Sequence, residues 1–186
     1  MLKKVLLPTL SLFVVCVVIA AALATTNMFT SKKIAALAEE ASTQARQRIL
    51  PSERYEKSEF VLNGTTYTYH TAYNKSEVTG YIFATSANGY GGVISVLTGI
   101  DCSGKIIAVE ITDASNETAG LGQNTAKEEF YSQYSGKDNT VSVVKNSPQK
   151  NEIQAVTGAT ISSNAATAAV NTALELYNQI SSGGVK

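Results

Sequence analysis

The sequence predicts an α+β protein that is held to a membrane by one N-terminal helix, and three observations point to that fold class. Residues 5–24 form a mostly apolar run near the start of the 186-residue chain. The middle of the chain alternates short apolar runs with glycine-containing turns, which is the pattern of paired strands. Residues 160–180 then carry apolar side chains at helical spacing. About 150 residues follow the apolar run, enough for one domain with its own core.

The N-terminal run is long enough to cross a bilayer as a helix, at about 1.5 Å per residue. Lys3 and Lys4 precede it, and no charged residue occurs between Val5 and Ser31. The positive-inside rule therefore predicts a single-pass inner-membrane protein with a cytoplasmic N-terminus and an extracytoplasmic C-terminal domain. A cleaved signal peptide is the alternative, because Ala22-Leu23-Ala24 has the small-x-small form of a cleavage site. The length of the run favours a retained anchor.

A second helix is predicted over residues 32–49, where apolar side chains recur at steps of three and four. Pro51 ends it, and its charged residues, including Arg46 and Arg48, are expected to face solvent. We divide the chain into an anchor at residues 1–31, a stalk helix and linker at 32–55, and a domain at 56–186.

The domain begins with predicted hairpins. Asn63-Gly64, between two strand-like runs, is the dipeptide that a type I′ turn prefers. Thr79-Gly80 and residues 101–104 are predicted to be further turns. A short helix over 125–134, a strand over 140–144 and a last helix from the 160s complete the chain. Gly183-Gly184 is expected to end that helix.

Composition excludes several classes of function. Basic and acidic residues number 15 each, so the formal net charge is zero, and no basic patch indicates binding to nucleic acid. Cys16 lies in the apolar run and Cys102 in a predicted turn, so they are not expected to pair. The chain has no CxxC motif and no Cys/His cluster at metal-ligand spacing, so no metal bound by this chain is expected. We assign no catalytic residue, and His70, the one histidine, is expected to be structural.

The stretch from Thr157 to Thr160 is the strongest candidate for a functional site. Gly158 and Ala159 are small enough for another molecule to approach the backbone closely. Thr160 presents a hydroxyl near the start of the last helix, where backbone N–H groups and the helix dipole favour an anion. A simpler interpretation is that the threonines and serines here only cap the helix.

Two motifs in this chain are similar to those of a known family. Thr157-Gly158-Ala159-Thr160 resembles the (S/T)-G-A-T motif of covalent flavinylation, although Gln154 stands where the family often has Asp. That motif marks the FMN-binding domain shared by the G-subunit of the Rnf complex and the C-subunit of the Na⁺-translocating NADH:quinone reductase. Residues 117–122 resemble the E-T-P-G-L-G loop of the same domain, with Ala119 in place of Pro.

The resemblance implies a covalent FMN joined to Thr160 by a phosphoester bond. It also implies seven further cofactor-binding residues: Thr157, Gly158, Ala159, Glu117, Thr118, Gly120 and Leu121. The fold it implies is a twisted, mostly antiparallel sheet with packed helices. The function it implies is electron transfer in an ion-translocating ferredoxin:NAD⁺ oxidoreductase, with catalysis only as part of that complex. Expected partners are its other membrane, iron–sulfur and flavin subunits, and a flavin transferase that loads FMN.

Three alternatives remain open from the sequence. The first is the C-subunit of the quinone reductase, although the length of the chain fits the Rnf G-subunit better. The second is a pilin-like structural protein, although the first 31 residues contain no Asp or Glu, and a pilin usually has an acidic residue in its apolar helix. The third is an anchored module that binds a small extracellular ligand.

Overall fold

The computed structural model describes residues 2–183, and the side chains of residues 9–31, 33–34 and 39–183 within that range. The chain forms two compact units, Met1–Thr43 and Gln44–Lys186. One helix, α1 (Leu2–Ile49), begins in the first unit and ends in the second.

The first unit contains a segment that is long and apolar enough to cross a membrane. Thr9–Ser31 has 23 residues and a mean hydropathy of 2.3. Its large apolar side chains are exposed, as they are in a helix that faces lipid: Leu12, Phe13, Val18 and Phe29 are each at least 60% exposed. This segment overlaps most of the predicted run at residues 5–24.

The second unit is built on an antiparallel sheet of five strands in the order β1-β2-β3-β4-β5. The strands are β1 (Arg54–Leu62), β2 (Thr65–Asn74), β3 (Glu77–Asn88), β4 (Val93–Asp101) and β5 (Ile106–Asp113). Asn63 and Gly64 both have positive φ angles, 51° and 80°, as a type I′ turn requires, so the first predicted hairpin is confirmed. The predicted α+β fold with a mostly antiparallel sheet is confirmed as well.

After the sheet, the chain makes a 3₁₀ helix (Gly122–Ala126), α2 (Glu128–Tyr131) and a second 3₁₀ helix (Ser132–Tyr134) where one short helix was predicted. Two short strands, β6 (Ser142–Val144) and β7 (Glu152–Gln154), then pair in parallel. The last helix, α3 (Thr160–Ser181), follows directly. Gly183, with φ 85°, lies two residues beyond its end, whereas Gly184 lies outside the described residues.

The central strands carry buried side chains on both faces of the sheet, since alternate residues along a strand point to opposite faces. Phe83 and Val96 belong to the larger core, which includes the buried side of α3. Ile82 and Leu97 belong to a smaller cluster with Ile49 and neighbouring residues from the end of α1. The end of α1 therefore packs on one face of the sheet and α3 on the other.

One of the predicted turns is wrong. Thr79-Gly80 is not a turn, because β3 runs through it, and the two-residue turn lies at Lys75 and Ser76 instead. A Cβ on Gly80 would meet the carbonyl oxygen of Ile100 at 2.5 Å and the side chain of Leu50 at 3.0 Å, so this glycine serves close packing.

Of the two arginines at the end of α1, Arg48 is exposed as predicted and Arg46 is not. Arg46 is only 7% exposed, whereas a solvated side chain was expected. Arg48 forms an ion pair with Glu110 of β5, with its Nη2 2.5 Å from the carboxylate. The last turn of this helix therefore packs against the sheet, through Ile49 and its neighbours.

Candidate cofactor site

A cavity of about 560 Å³ lies where three glycine-containing segments meet. The segments are the β3–β4 connection, the loop after β5 and the start of α3. The lining residues are Tyr90, Glu117, Thr118, Leu121, Gly122, Gly158, Ala159, Thr160, Ile161 and Ser162. Six of the eight residues predicted from the sequence are among them. Of the other two, Thr157 lines a neighbouring cavity and Gly120 lines neither.

Thr160 is the first residue of α3, and its side chain is exposed at this cavity. The residue at the N-cap is Ala159, and no side chain caps the helix. The Thr160 hydroxyl makes no hydrogen bond to any residue in the described part of the chain. Its position therefore differs from that of a capping threonine, and the hydroxyl is free for bonding to another molecule.

The backbone before Thr160 is fixed by Ser163, which is completely buried. The Ser163 hydroxyl accepts a hydrogen bond from the amide of Val156 at 3.0 Å. It donates to the carbonyl of Ala159 at 2.9 Å. Gly158, between them, has φ 76°, a conformation that suits glycine because it has no Cβ. These contacts place the Thr160 side chain at the edge of the cavity without using its own hydroxyl.

Glu117 connects all three segments of the cavity wall, although it is only 4% exposed. Its Oε1 accepts hydrogen bonds from the amides of Gly91 at 2.9 Å and Gly92 at 3.3 Å. Its Oε2 accepts one from the Ser162 hydroxyl at 2.6 Å. A Cβ on Gly122 would overlap Oε2 and would lie 2.7 Å from the Ser162 hydroxyl, so the glycine leaves room for this contact.

These hydrogen bonds keep Glu117 ionised. Burial by itself would raise the pKa of its carboxyl, but the hydrogen bonds from Ser162 and then from the amides of the Gly91 segment outweigh burial and lower that pKa. Both oxygens are thus engaged by the protein. The sequence predicted that Glu117 contacts the flavin directly; the structure adds a contact with the protein on each oxygen, and the flavin contact stays a prediction.

The rim of the cavity is apolar and exposed. Tyr90 is 73% exposed, Leu121 42% and Ile161 56%. Large apolar side chains that cluster at a cavity mouth are typical of a surface that another molecule covers. Three further lining residues were not predicted from the sequence. Gly122 is the last residue of the loop at 117–122, and Ile161 and Ser162 directly follow the motif at 157–160.

A second cavity, of about 430 Å³, adjoins the same motif. It is lined by Lys145, Asn146, Ala155, Val156, Thr157, Gly158 and Thr160. Gly158 and Thr160 line both cavities, so the two cavities meet at the motif. Among the residues with described side chains, no group of three or more His, Cys, Asp or Glu could hold a metal ion.

The comparisons with known proteins agree with this site. A family model described as an FMN-binding domain matches residues 89–175, which include all three segments of the cavity wall. The fold is shared with the C-subunit of the Na(+)-translocating NADH-quinone reductase from Parabacteroides distasonis, at a TM-score of 0.55 and 22% identity over 63% of this chain and 64% of that chain. NqrC from Shewanella oneidensis has a TM-score of 0.56 at 15% identity over 63% and 62% of the two chains. The chain thus spans less than two thirds of either structure. It shares their fold, and residues 89–175 match the FMN-binding-domain model.

Curated relatives define the family more closely. The G-subunit of the Na(+)-translocating ferredoxin:NAD(+) oxidoreductase complex of Acetobacterium woodii is 37% identical over 190 residues, which cover 92% of this chain and 91% of that protein. The G-subunit of the proton-translocating ferredoxin:NAD(+) oxidoreductase complex of Clostridium ljungdahlii is 35% identical over 116 residues, or 62% of each chain. The chain belongs to this G-subunit family, as its motifs predicted. Family membership and the apolar N-terminal helix together indicate association with a membrane.

Proposed function

We propose that this chain is the electron-carrying G-subunit of a membrane-bound, ion-translocating ferredoxin:NAD⁺ oxidoreductase, with FMN esterified through its phosphate to Thr160. One observation carries the proposal. The Thr160 hydroxyl, free of hydrogen bonds to the described residues, lies at the start of α3 and at the cavity that the three segments build, two of which carry the family-like motifs.

The residues of the cavity fit a flavin. Its volume of about 560 Å³ lies within the roughly 300–1,000 Å³ that is usual for cofactor sites. The exposed faces of Tyr90, Leu121 and Ile161 offer apolar contact to a ring system. Glu117 is the one charged lining residue, and its oxygens are already hydrogen-bonded. Thr118 and the open backbone at Gly158 are left to meet polar edges of the ligand.

The mechanism of this chain is to hold one redox group in place. Bound FMN supplies a centre that takes up and releases one or two electrons, and the protein sets its position and surroundings. Thr160 fixes the phosphate, and the glycine at position 158 allows the backbone to approach. Leu121 and Tyr90 exclude water from the cavity mouth. A covalent bond is useful outside the cytoplasm, where a reversibly bound flavin would be lost by dilution.

The proposal includes a topology and partners. Lys3 and Lys4 place the N-terminus in the cytoplasm by the positive-inside rule, so residues after the apolar helix are extracytoplasmic. Electrons pass between this subunit and neighbouring flavin or iron–sulfur subunits of the complex. A flavin transferase loads the FMN.

Intact-mass measurement tests the attachment. The full chain, co-expressed with a flavin transferase, should gain the mass of one FMN less one water, on the peptide that contains Thr160. Thr160→Ala should abolish the gain without unfolding the domain, because the side chain is exposed and makes no hydrogen bond to the described residues. Thr160→Ser should retain some attachment because a hydroxyl remains.

Thr157→Ala is the matched control, since it removes a neighbouring hydroxyl of the same motif. Flavin that stays bound in Thr160→Ala but disappears in Thr157→Ala would move the attachment to Thr157. An unmodified wild-type chain would reject the flavoprotein function and favour the anchored binding module or the pilin-like protein.

A further inference from the structure

The second cavity is lined by a lysine and by the same threonine that lines the first. Thr160 and Gly158 line both cavities, whereas Lys145 lines the second and not the first. A group bonded to the Thr160 hydroxyl would therefore border both cavities.

The backbone position of Lys145 is set by hydrogen bonds to the segment that precedes the motif. Lys145 follows β6 directly, and β6 pairs in parallel with β7, which leads into the motif. The carbonyl of Val144 accepts a hydrogen bond from the amide of Ala155 at 2.8 Å. The carbonyl of Lys145 accepts another from the Gln154 side chain at 3.2 Å. The backbone of Lys145 is thereby fixed to the segment that ends in Thr160.

The charge of Lys145 is not neutralised by its surroundings. Every other residue that lines the second cavity is uncharged. None of the ion pairs between described side chains includes Lys145. Gln154, which bonds its carbonyl, carries no charge. The lining of the second cavity therefore includes one cationic residue, Thr160 and no acidic residue.

We propose that the second cavity is a phosphate subsite in which Lys145 provides the counter-charge for the phosphate group on Thr160. This inference rests on the proposed attachment at Thr160. A phosphate joined to two alcohols keeps one negative charge, which the ammonium group attracts. Lys145 thus binds the charged end of the cofactor, while the first cavity binds its ring.

The size of the effect follows from the exposure of the lysine. An ion pair at a solvent-exposed site strengthens binding by a factor of about two to five, and salt weakens it. The unloaded full chain should therefore bind FMN more tightly than riboflavin, which has the same ring system but no phosphate. The ratio of the two affinities should fall as ionic strength rises.

The test measures that ratio by flavin fluorescence titration of the unloaded full chain in detergent. Lys145→Gln should lower the FMN-to-riboflavin ratio about two- to five-fold, and Lys145→Arg should retain it. Lys127→Gln is the matched control, because Lys127 lines a third cavity that shares Ala155 and Val156 but not Thr160. It removes the same charge and should leave the ratio unchanged.

A second measurement uses the loaded chain. The ³¹P resonance of the phosphodiester should shift in Lys145→Gln, but not in Lys127→Gln. An unchanged ratio and resonance in Lys145→Gln, or equal changes in both variants, would overturn the subsite while leaving the attachment intact. A wild-type chain that gains no flavin mass would instead reject the attachment itself, and the subsite with it.

Discussion

At the scale of single residues, the Glu117 carboxylate joins segments that are far apart in the sequence. Its partners are Gly91 and Gly92, 26 and 25 residues before it, and Ser162, 45 residues after it. A buried carboxylate that accepts several hydrogen bonds stabilises a fold strongly only while it stays ionised. The cavity wall should therefore weaken when this residue loses its charge.

Glu117→Gln tests that dependence. The neutral side chain replaces one accepting oxygen by an NH₂ donor, which faces either the donor amides or the Ser162 hydroxyl. We expect the free energy of unfolding at neutral pH to fall by about 1–3 kcal/mol. It is measured by urea unfolding of the full chain in detergent. Glu59→Gln, an exposed strand residue, removes the same charge and should have little effect.

The difference in unfolding free energy between wild type and Glu117→Gln should also depend on pH. The folded-state pKa of Glu117 lies below its ordinary value of 4.5, so its contribution to stability is fully present above that value. The contribution is lost as the pH falls through the folded-state pKa. The difference between wild type and Glu117→Gln should thus be constant near neutral pH and shrink in acid. A difference that grows in acid would contradict this account of the carboxylate.

The residue scale also shows what the sequence could predict. Thr160 and Leu121 could be assigned because each lies in a short contiguous motif. The hydrogen bonds of Glu117 could not, because its partners come from separate segments and only the fold brings them together. Lys145 was missed for the same reason: it lies 15 residues before Thr160, and only the parallel pairing of β6 with β7 places it next to the motif.

At the scale of elements, the contact between the end of α1 and the sheet is unusually close. Ile49 is 3% exposed and packs against the face that contains Ile82 and Leu97. Directly below it lies Gly99 of β4, where a Cβ would overlap the Cγ2 methyl of Ile49. The absence of a side chain at this position allows the helix to approach the strand.

A double-mutant cycle tests this contact. Gly99→Ala should destabilise the domain by about 1–3 kcal/mol through overpacking. Ile49→Ala should destabilise it by about 2–5 kcal/mol through lost burial and a cavity. The double variant should be more stable than the sum predicts, because removal of the Ile49 methyl groups makes room for the new Cβ. Additive losses in urea unfolding would show that Gly99 is needed for another reason.

Elements that depend on neighbouring residues were predicted correctly, whereas features that depend on contacts between distant residues were not. The turn at Asn63-Gly64 depends on two neighbouring residues and was predicted correctly. Gly80 was mistaken for a turn because its actual partners, Leu50 and Ile100, are 30 and 20 residues away. Arg46 was expected to be solvated because helical periodicity does not show that the last turns of α1 lie on the sheet. Errors therefore concentrate where a residue serves a distant contact.

At the scale of the whole molecule, the two cysteines can show on which side of the membrane the domain lies. Cys16 lies within the apolar segment Thr9–Ser31, and Cys102 lies in the turn between β4 and β5. Both are free thiols with exposed side chains. In a bilayer, only Cys102 should be open to a water-soluble reagent, because the membrane would surround Cys16.

Labelling of right-side-out membrane vesicles with a membrane-impermeant maleimide then tests the proposed orientation. An extracytoplasmic domain predicts that Cys102 reacts before the vesicles are opened. Cys102→Ser should abolish the label and Cys16→Ser should leave it unchanged. Labelling that requires permeabilised vesicles would instead place the domain in the cytoplasm. Loss of a reversibly bound flavin by dilution would then no longer account for a covalent bond. The positive-inside prediction from Lys3 and Lys4 would then be wrong, while the cavity and its threonine would still be present.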